Sequence, residues 1–135
     1  MDQELTIFQM AGGEDAFHRL AAAFYEGIAE DDLLRPMYPE QLEAAKRRLA
    51  LFMIQYFGGP GTYSEERGHP RLRMRHAPFE VGMEARDRWL KHMNAALEKA
   101  EIPQPAREVM RTYFTNTATF LMNVPPAMPI QSGGK

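Results

Sequence analysis

An all-α fold is predicted for this 135-residue chain by three observations. Four long stretches carry apolar residues three and four positions apart, the period of one helix face. Glycines and prolines gather mostly between those stretches, where breakers belong. No stretch alternates apolar and polar side chains well enough to read as a strand. The four main helices are expected to pack as two pairs.

Thr6 to Met10 can form a short first helix, stopped by Gly12 and Gly13. Glu14 to Glu30 reads as a helix, because Phe17, Leu20, Ala21, Phe24 and Ile28 recur at helical spacing. Asp31, Asp32 and Pro36 break it, while Leu33, Leu34 and Met37 suggest a turn that stays packed. Pro39 is expected to open the next helix, with acids in its first turn as the helix dipole favours. Leu42, Ala45, Leu49, Phe52, Met53 and Tyr56 form its apolar face, and Gly58-Gly59-Pro60 ends it. Ala85, Trp89, Met93 and Ala96 mark a helix from Gly82 to about Ala100. After Pro103 and Pro105, Ala106 to Val124 reads as the last helix, with Val109, Tyr113, Phe114, Thr117, Phe120 and Leu121 inward. Residues 1–124 are expected to form one domain, and the Pro- and Gly-rich residues 125–135 a disordered tail.

Between Gly61 and Gly82 no period is sustained. A structureless stretch of that length is uncommon in a compact domain, so a function is expected there. Its centre, GHPRLRMRHAPF, holds His69 and His76, and Arg67, Arg71, Arg73 and Arg75 carry four positive charges within nine residues. Three readings are open for it: a basic patch for an anionic partner, a metal or haem ligand on a short turn, or a surface connection.

The bulk numbers exclude several function classes. Sixteen basic and eighteen acidic residues give a net charge of −2, so the basic excess of a general nucleic-acid binder is missing. There is no cysteine, which removes disulfides, thiolate zinc sites and thiol nucleophiles. The N-terminal stretch has no signal-peptide core, and no run reaches the roughly 18 apolar residues of a membrane span. A cytoplasmic location fits these features. The two serines, Ser64 and Ser132, stand outside any nucleophile elbow, and no His-Glu-x-x-His pattern or phosphate loop occurs. Hydrolase and kinase chemistry therefore lacks its parts.

The histidines remain. His18 and His92 fall on long helices, where a surface or half-buried residue is the plain reading. His69 beside Pro70 reads as a turn residue. His76 differs, because it precedes Ala77-Pro78 on what can be one short helical turn. One imidazole fixed on a short element suits an axial haem ligand, with a shaped cavity opposite it. Tyr25 and Trp89 carry polar atoms that want partners if buried, whereas Ala45 and Leu49 share one face of the third helix and read first as core.

Four stretches carry a resemblance: AGGEDAFHRL, FYEGIAEDDLLRPMYP, QYFGGPGTYSEERGHPRLRMRHAPF and RDRWLKHM. In that order they resemble the group II truncated haemoglobins, bacterial globins with a two-over-two helical sandwich and a long loop before a short proximal helix. The likeness runs from about Phe8 to Val124. It implies haem b, with His76 as the proximal iron ligand. It implies Tyr25, Tyr38 and Trp89 as distal groups that stabilise a bound ligand, and Ala45, Leu49, Phe24 and Phe52 as the distal pocket wall. Arg48, Tyr63, Arg73 and Arg75 are the expected contacts to the haem, with Arg71 competing for the propionates. Two departures stand out: Phe57 occupies a position where many relatives have tryptophan, and the stretch Pro39 to Leu42 is one residue short.

The expected function is binding of O2 and other diatomic ligands at a five-coordinate iron. Slow release would suit redox work or detoxification of nitric oxide or peroxide, through peroxidase or nitric oxide dioxygenase activity, better than oxygen delivery. An electron donor or reductase is implied without being identified, and a homodimer stays open. No nucleic acid and no membrane span are expected. The alternative is a haem-free helical module that docks an acidic partner on the basic stretch 67–75.

Overall fold

The computed structural model describes residues 5–123. The expectation for residues 125–135 lies outside them. The described chain is helical throughout: α1 (Ile7–Ala11), α2 (Glu14–Ala29), a 3-10 turn (Arg35–Met37), α3 (Leu42–Tyr56), α4 (Thr62–Arg67), α5 (Leu72–His76), α6 (Met83–Lys99) and α7 (Ala106–Phe120). Helix α2 packs against both α3 and α6, and α6 packs against α7. These four make the two-pair sandwich, and α4 and α5 close one end of it.

Each boundary has a local cause. Thr6 caps α1 through a reciprocal pair: its hydroxyl accepts from Gln9 N at 3.0 Å, and its own N–H donates to Gln9 Oε1 at 2.9 Å. Gly12, at φ 120°, turns the chain away from α1, a conformation that favours glycine. Phe8 N then donates to Phe57 O at 2.8 Å, tying α1 to the end of α3. Phe17, Leu20, Phe24 and Ile28 of α2 are fully buried, as their spacing predicts, together with Met53, Ile54, Met93, Leu97 and Met110 from the other helices.

Three boundaries differ from the sequence reading. Helix α3 begins at Leu42, three residues after Pro39. Tyr38, which precedes that proline, is extended at ψ 157°, as the residue before proline prefers. The Arg35 guanidinium then holds the next carbonyls, Pro39 O at 2.9 Å and Glu40 O at 2.8 Å, in an open conformation. Helix α7 stops at Phe120 instead of Val124. Asn123 leaves the helix to pair with Val81, accepting from Val81 N at 2.8 Å and donating its own N–H to Val81 O at 2.9 Å. Val109 and Phe120 are exposed, not inward, because the buried stripe of α7 runs Ala106, Met110, Phe114 and Ala118 at strict four-residue spacing. Within the expected long connection, α4 is too short to show a period. Gln55 anchors it by donating to Ser64 Oγ at 2.7 Å and accepting from Ser64 N at 2.9 Å. Arg47 adds a two-pronged pair to Glu66 at 2.7 Å.

The corner after α2 is held by a carboxylate. Asp31, 8% exposed, is the one buried charged side chain among the described residues. Its Oδ1 accepts from Leu33 N, Leu34 N and Arg88 at 2.9, 3.0 and 3.0 Å, and its Oδ2 from His92 Nε2 at 2.7 Å. Burial alone would raise its pKa. The hydrogen bonds from His92, Leu34, Arg88 and Leu33 outweigh that and hold the carboxyl well below the usual range.

His92 in turn lies against the backbone of Gly27, where an added Cβ would stand 2.4 Å from its Nδ1. Alanine inside a helix ordinarily gains about 1 kcal/mol over glycine. Here Gly27→Ala is expected to lower stability, by about 1–3 kcal/mol as overpacking does, because the ring is held by Asp31 and has nowhere to go. Thermal unfolding checks this, and an equal or higher Tm would contradict the packing of His92 on α2.

Candidate functional site

A cavity of about 310 Å³ lies between α2, α3, α6 and α7, with α5 across its open side. That volume falls in the range of pockets that hold small molecules and cofactors, roughly 300–1,000 Å³. Its walls are mostly apolar and aromatic, with a few polar groups at defined places.

One wall carries His76. The residue ends α5, and the Ala77-Pro78 step prevents the helix from continuing. Its Nδ1 lies 2.8 Å from Leu72 O, one turn back. A carbonyl only accepts, so Nδ1 carries the proton and the Nε2 lone pair is left free. The short helix is braced at both ends. Arg71 starts it in the left-handed region at φ 49°, with its N–H donating to His69 Nδ1 at 3.1 Å. Arg75 Nε donates to Pro70 O at 2.7 Å. At the far end Asn123 Nδ2 donates to Phe79 O at 2.7 Å and His76 O at 3.3 Å.

Another part of the lining is aromatic. Tyr25 and Phe24 come from α2, Tyr38 from the end of the 3-10 turn, and Trp89 from α6. Tyr25 meets Tyr38 edge-on at 5.5 Å between centroids and Phe24 edge-on at 5.2 Å, while Phe24 packs on Trp89 at 5.1 Å. Burial pushes the Tyr38 phenol up to about 12, the Trp89 indole hydrogen bond works against that rise, and the Asp31 charge adds to it. Burial also raises the Tyr25 phenol, helped by Tyr38 and opposed by the Arg48 guanidinium. Both hydroxyls therefore stay protonated, as donors, across the physiological range.

Ala45, Leu49 and Phe52 of α3 line the cavity, as does Tyr63 of α4, which meets Phe52 edge-on at 5.7 Å. Arg48, Arg75 and Arg86 are its basic lining residues. Eleven of the twelve expected site residues thus meet around one cavity. Arg73 does not: it is exposed, and its guanidinium lies 4.9 Å from the Phe120 ring. The physical reason is helix geometry, since Arg73 and Arg75 lie about 200° apart on α5 and only one can face inward. Arg86 was missed by the sequence reading. The signal was its place three residues before Trp89 on α6, which sets both on one face. Its guanidinium is oriented by Thr119 Oγ1 at 2.9 Å and Asp87 at 2.8 Å. His18 and His69 are exposed, and Arg67 and Arg71 face outward.

Among the described residues, His76 is the only histidine lining the cavity, and no carboxylate joins it there. A metal ion at His76 must therefore arrive with most of its ligands already in place, as in a flat macrocycle. An apolar cavity walled by aromatic rings accepts such a ring, and arginines suit its acidic substituents through charge-assisted bonds. Fold and cavity together describe a helical protein whose apolar, aromatic pocket fits a flat macrocycle, with His76 among its lining residues.

The comparisons agree with that class. Residues 6–123 match the family model described as bacterial-like globin. The chain is 37% identical over 123 residues to the group 2 truncated haemoglobin YjbI of Bacillus subtilis, covering 91% of this chain and 93% of that protein. Among solved structures, a haemoglobin from Chloroflexus aurantiacus is 53% identical with a TM-score of 0.88, covering 90% of this chain and 100% of that one. The group II truncated haemoglobin of Bacillus anthracis is 34% identical with a TM-score of 0.89, covering 93% and 97%. The chain belongs to the bacterial-like globin family, within the group II truncated haemoglobins. Membership implies haem and the binding of diatomic ligands.

The raised phenols make a testable statement about alkaline stability. A phenol with a raised folded pKa keeps its proton in the native state while the unfolded chain, near pKa 10, loses it. The contribution of Tyr25 and Tyr38 is complete below about pH 10 and is lost as the pH rises through their folded values. Unfolding free energy should therefore fall steeply above about pH 10, and less steeply in a Tyr25→Phe/Tyr38→Phe variant. Equal slopes in denaturant titrations would contradict the burial of these hydroxyls.

Proposed function

We propose that the cavity holds haem b between His76 on one side and Tyr25, Tyr38 and Trp89 on the other, and that the protein binds O2 tightly for redox use. The observation that carries this reading is the His76 ring, pinned through Nδ1 to Leu72 with its other nitrogen free. Haem, when bound, supplies an iron with one open coordination position for O2 and other diatomic ligands. Leu72 orients the imidazole and raises its basicity as a ligand. Arg48, Arg75, Arg86 and Tyr63 hold the propionates. Leu49, Phe52 and Phe24 keep water from the distal side, and Ala45 leaves its mouth open.

Tyr25, Tyr38 and Trp89 then aim up to three donors at the place where a bound ligand draws negative charge. Each hydrogen bond to a charged acceptor contributes about 1.5–3 kcal/mol. Two such bonds slow ligand release by roughly 10²–10⁴-fold, at about 1.4 kcal/mol per decade. Slow release defeats oxygen delivery. It suits turnover of nitric oxide or peroxide, with electrons from a separate reductase, in a cytoplasmic setting.

Stopped-flow replacement of O2 by carbon monoxide on the reduced protein tests this. Tyr25→Phe and Tyr38→Phe are each expected to speed O2 release by about 10–100-fold. Fast release from the unaltered protein, or rates unmoved by both substitutions, would contradict the donor role of these tyrosines.

A further inference from the structure

The Asp31 cluster has a place in the fold that stability alone does not account for. Its carboxylate is the joint between two elements that carry distal side chains. On one side it holds the corner that ends in Tyr38. Leu34 N donates to Asp31 Oδ1 at 3.0 Å, and Arg35 N to Asp31 O at 2.8 Å. Tyr38 N donates in turn to Arg35 O at 3.1 Å, and the Arg35 guanidinium holds Pro39 O at 2.9 Å. Tyr38 therefore rides on a short unit whose origin is Asp31. On the other side the carboxylate holds α6. Arg88 and His92 donate to its two oxygens at 3.0 and 2.7 Å, and they bracket Trp89, one residue after the first and three before the second. The His92 ring lies against Gly27 of α2, so it has no free rotation.

We propose that Asp31, Arg88 and His92 form a clamp that fixes the Tyr38 corner against the Trp89 stretch of α6, and so sets how firmly the distal wall holds a bound ligand. The positioning half of that statement does not depend on haem. The ligand half rests on the function proposed above. These three are positioning residues: none lines the cavity, and they act through Tyr38 and Trp89. Leaving one oxygen of the clamp without its charged donor would let the corner and α6 shift against each other by the slack of one hydrogen bond. That is enough to misalign a donor whose strength depends on distance and angle.

The chain has a single tryptophan, Trp89, which reports on the clamp directly. In the haem-free protein, Asp31→Asn is expected to red-shift Trp89 emission and raise its quenching by acrylamide, with the helical circular dichroism kept. In the haem-loaded protein it is expected to speed O2 release about tenfold, and to add nothing further in a Tyr38→Phe background, because the clamp acts through that hydroxyl. If Asp31→Asn loses its helical signal, Arg88→Met and His92→Leu take its place, each removing one donor while the carboxylate keeps its backbone bonds.

Unchanged Trp89 emission in every folded variant would overturn the clamp. So would an effect on O2 release that simply adds to that of Tyr38→Phe, the sign of a general loss of packing. A wild-type chain that takes up no haem while Trp89 still responds to Asp31→Asn would overturn the haem reading and leave the positioning role standing.

Discussion

Everything about this site depends on presenting one imidazole from a helix that cannot stand alone. Helix α5 has five residues, far below the length at which a helix is stable in water. Its geometry has to be imposed from outside. Leu72 O fixes the ring, Pro70 O anchors Arg75, and Asn123 reaches back from the end of α7 to His76 O and Phe79 O. The left-handed Arg71 is a local cost, of order 1–3 kcal/mol, that the surrounding bonds sustain. The early end of α7 has the same origin, because Asn123 can brace the turn that carries His76 only by leaving its helix.

The aromatic part of the lining is built on another plan. Its donors come from three elements, and two of them, Tyr25 on α2 and Trp89 on α6, sit on long helices with buried faces. The aromatic rings meet edge to face at 5–6 Å, which fixes their tilt as well as their spacing. Tyr38 is the exception, since it stands on a corner rather than a helix. The buried Asp31 network lies beneath that corner. A buried carboxylate is costly unless every lone pair finds a donor, and here four donors converge on it.

Much of this was legible in the residues. Phe17, Leu20, Phe24 and Ile28 announced α2 by spacing alone, and the apolar stripe of α3 did the same. His76 was legible because Pro78 stands two positions further on and forces a short element. The choice among the arginines was not. Arg73 and Arg75 are alike in sequence and opposite in the fold, and only the direction of α5 separates them. Arg86 went unread because a charged residue on an amphipathic helix looks like solvent-facing surface. Asp31 read as a helix breaker and His92 as an ordinary helix residue, because 61 positions separate them and nothing local signals the bond. The start of α3 was misplaced for a local reason: the Arg35 guanidinium, four and five positions back, holds the carbonyls of Pro39 and Glu40 that would otherwise enter the helix.

The most direct test of the account is the ferric absorption spectrum of His76→Gly, recorded with and without added imidazole beside the unaltered protein. The account predicts a Soret band in the unaltered chain, a weakened or displaced band in the variant, and recovery when free imidazole occupies the space left by the side chain. An unaltered Soret band in His76→Gly, indifferent to imidazole, would mean that the iron is held elsewhere, and the assignment of both walls of the cavity would fall with it.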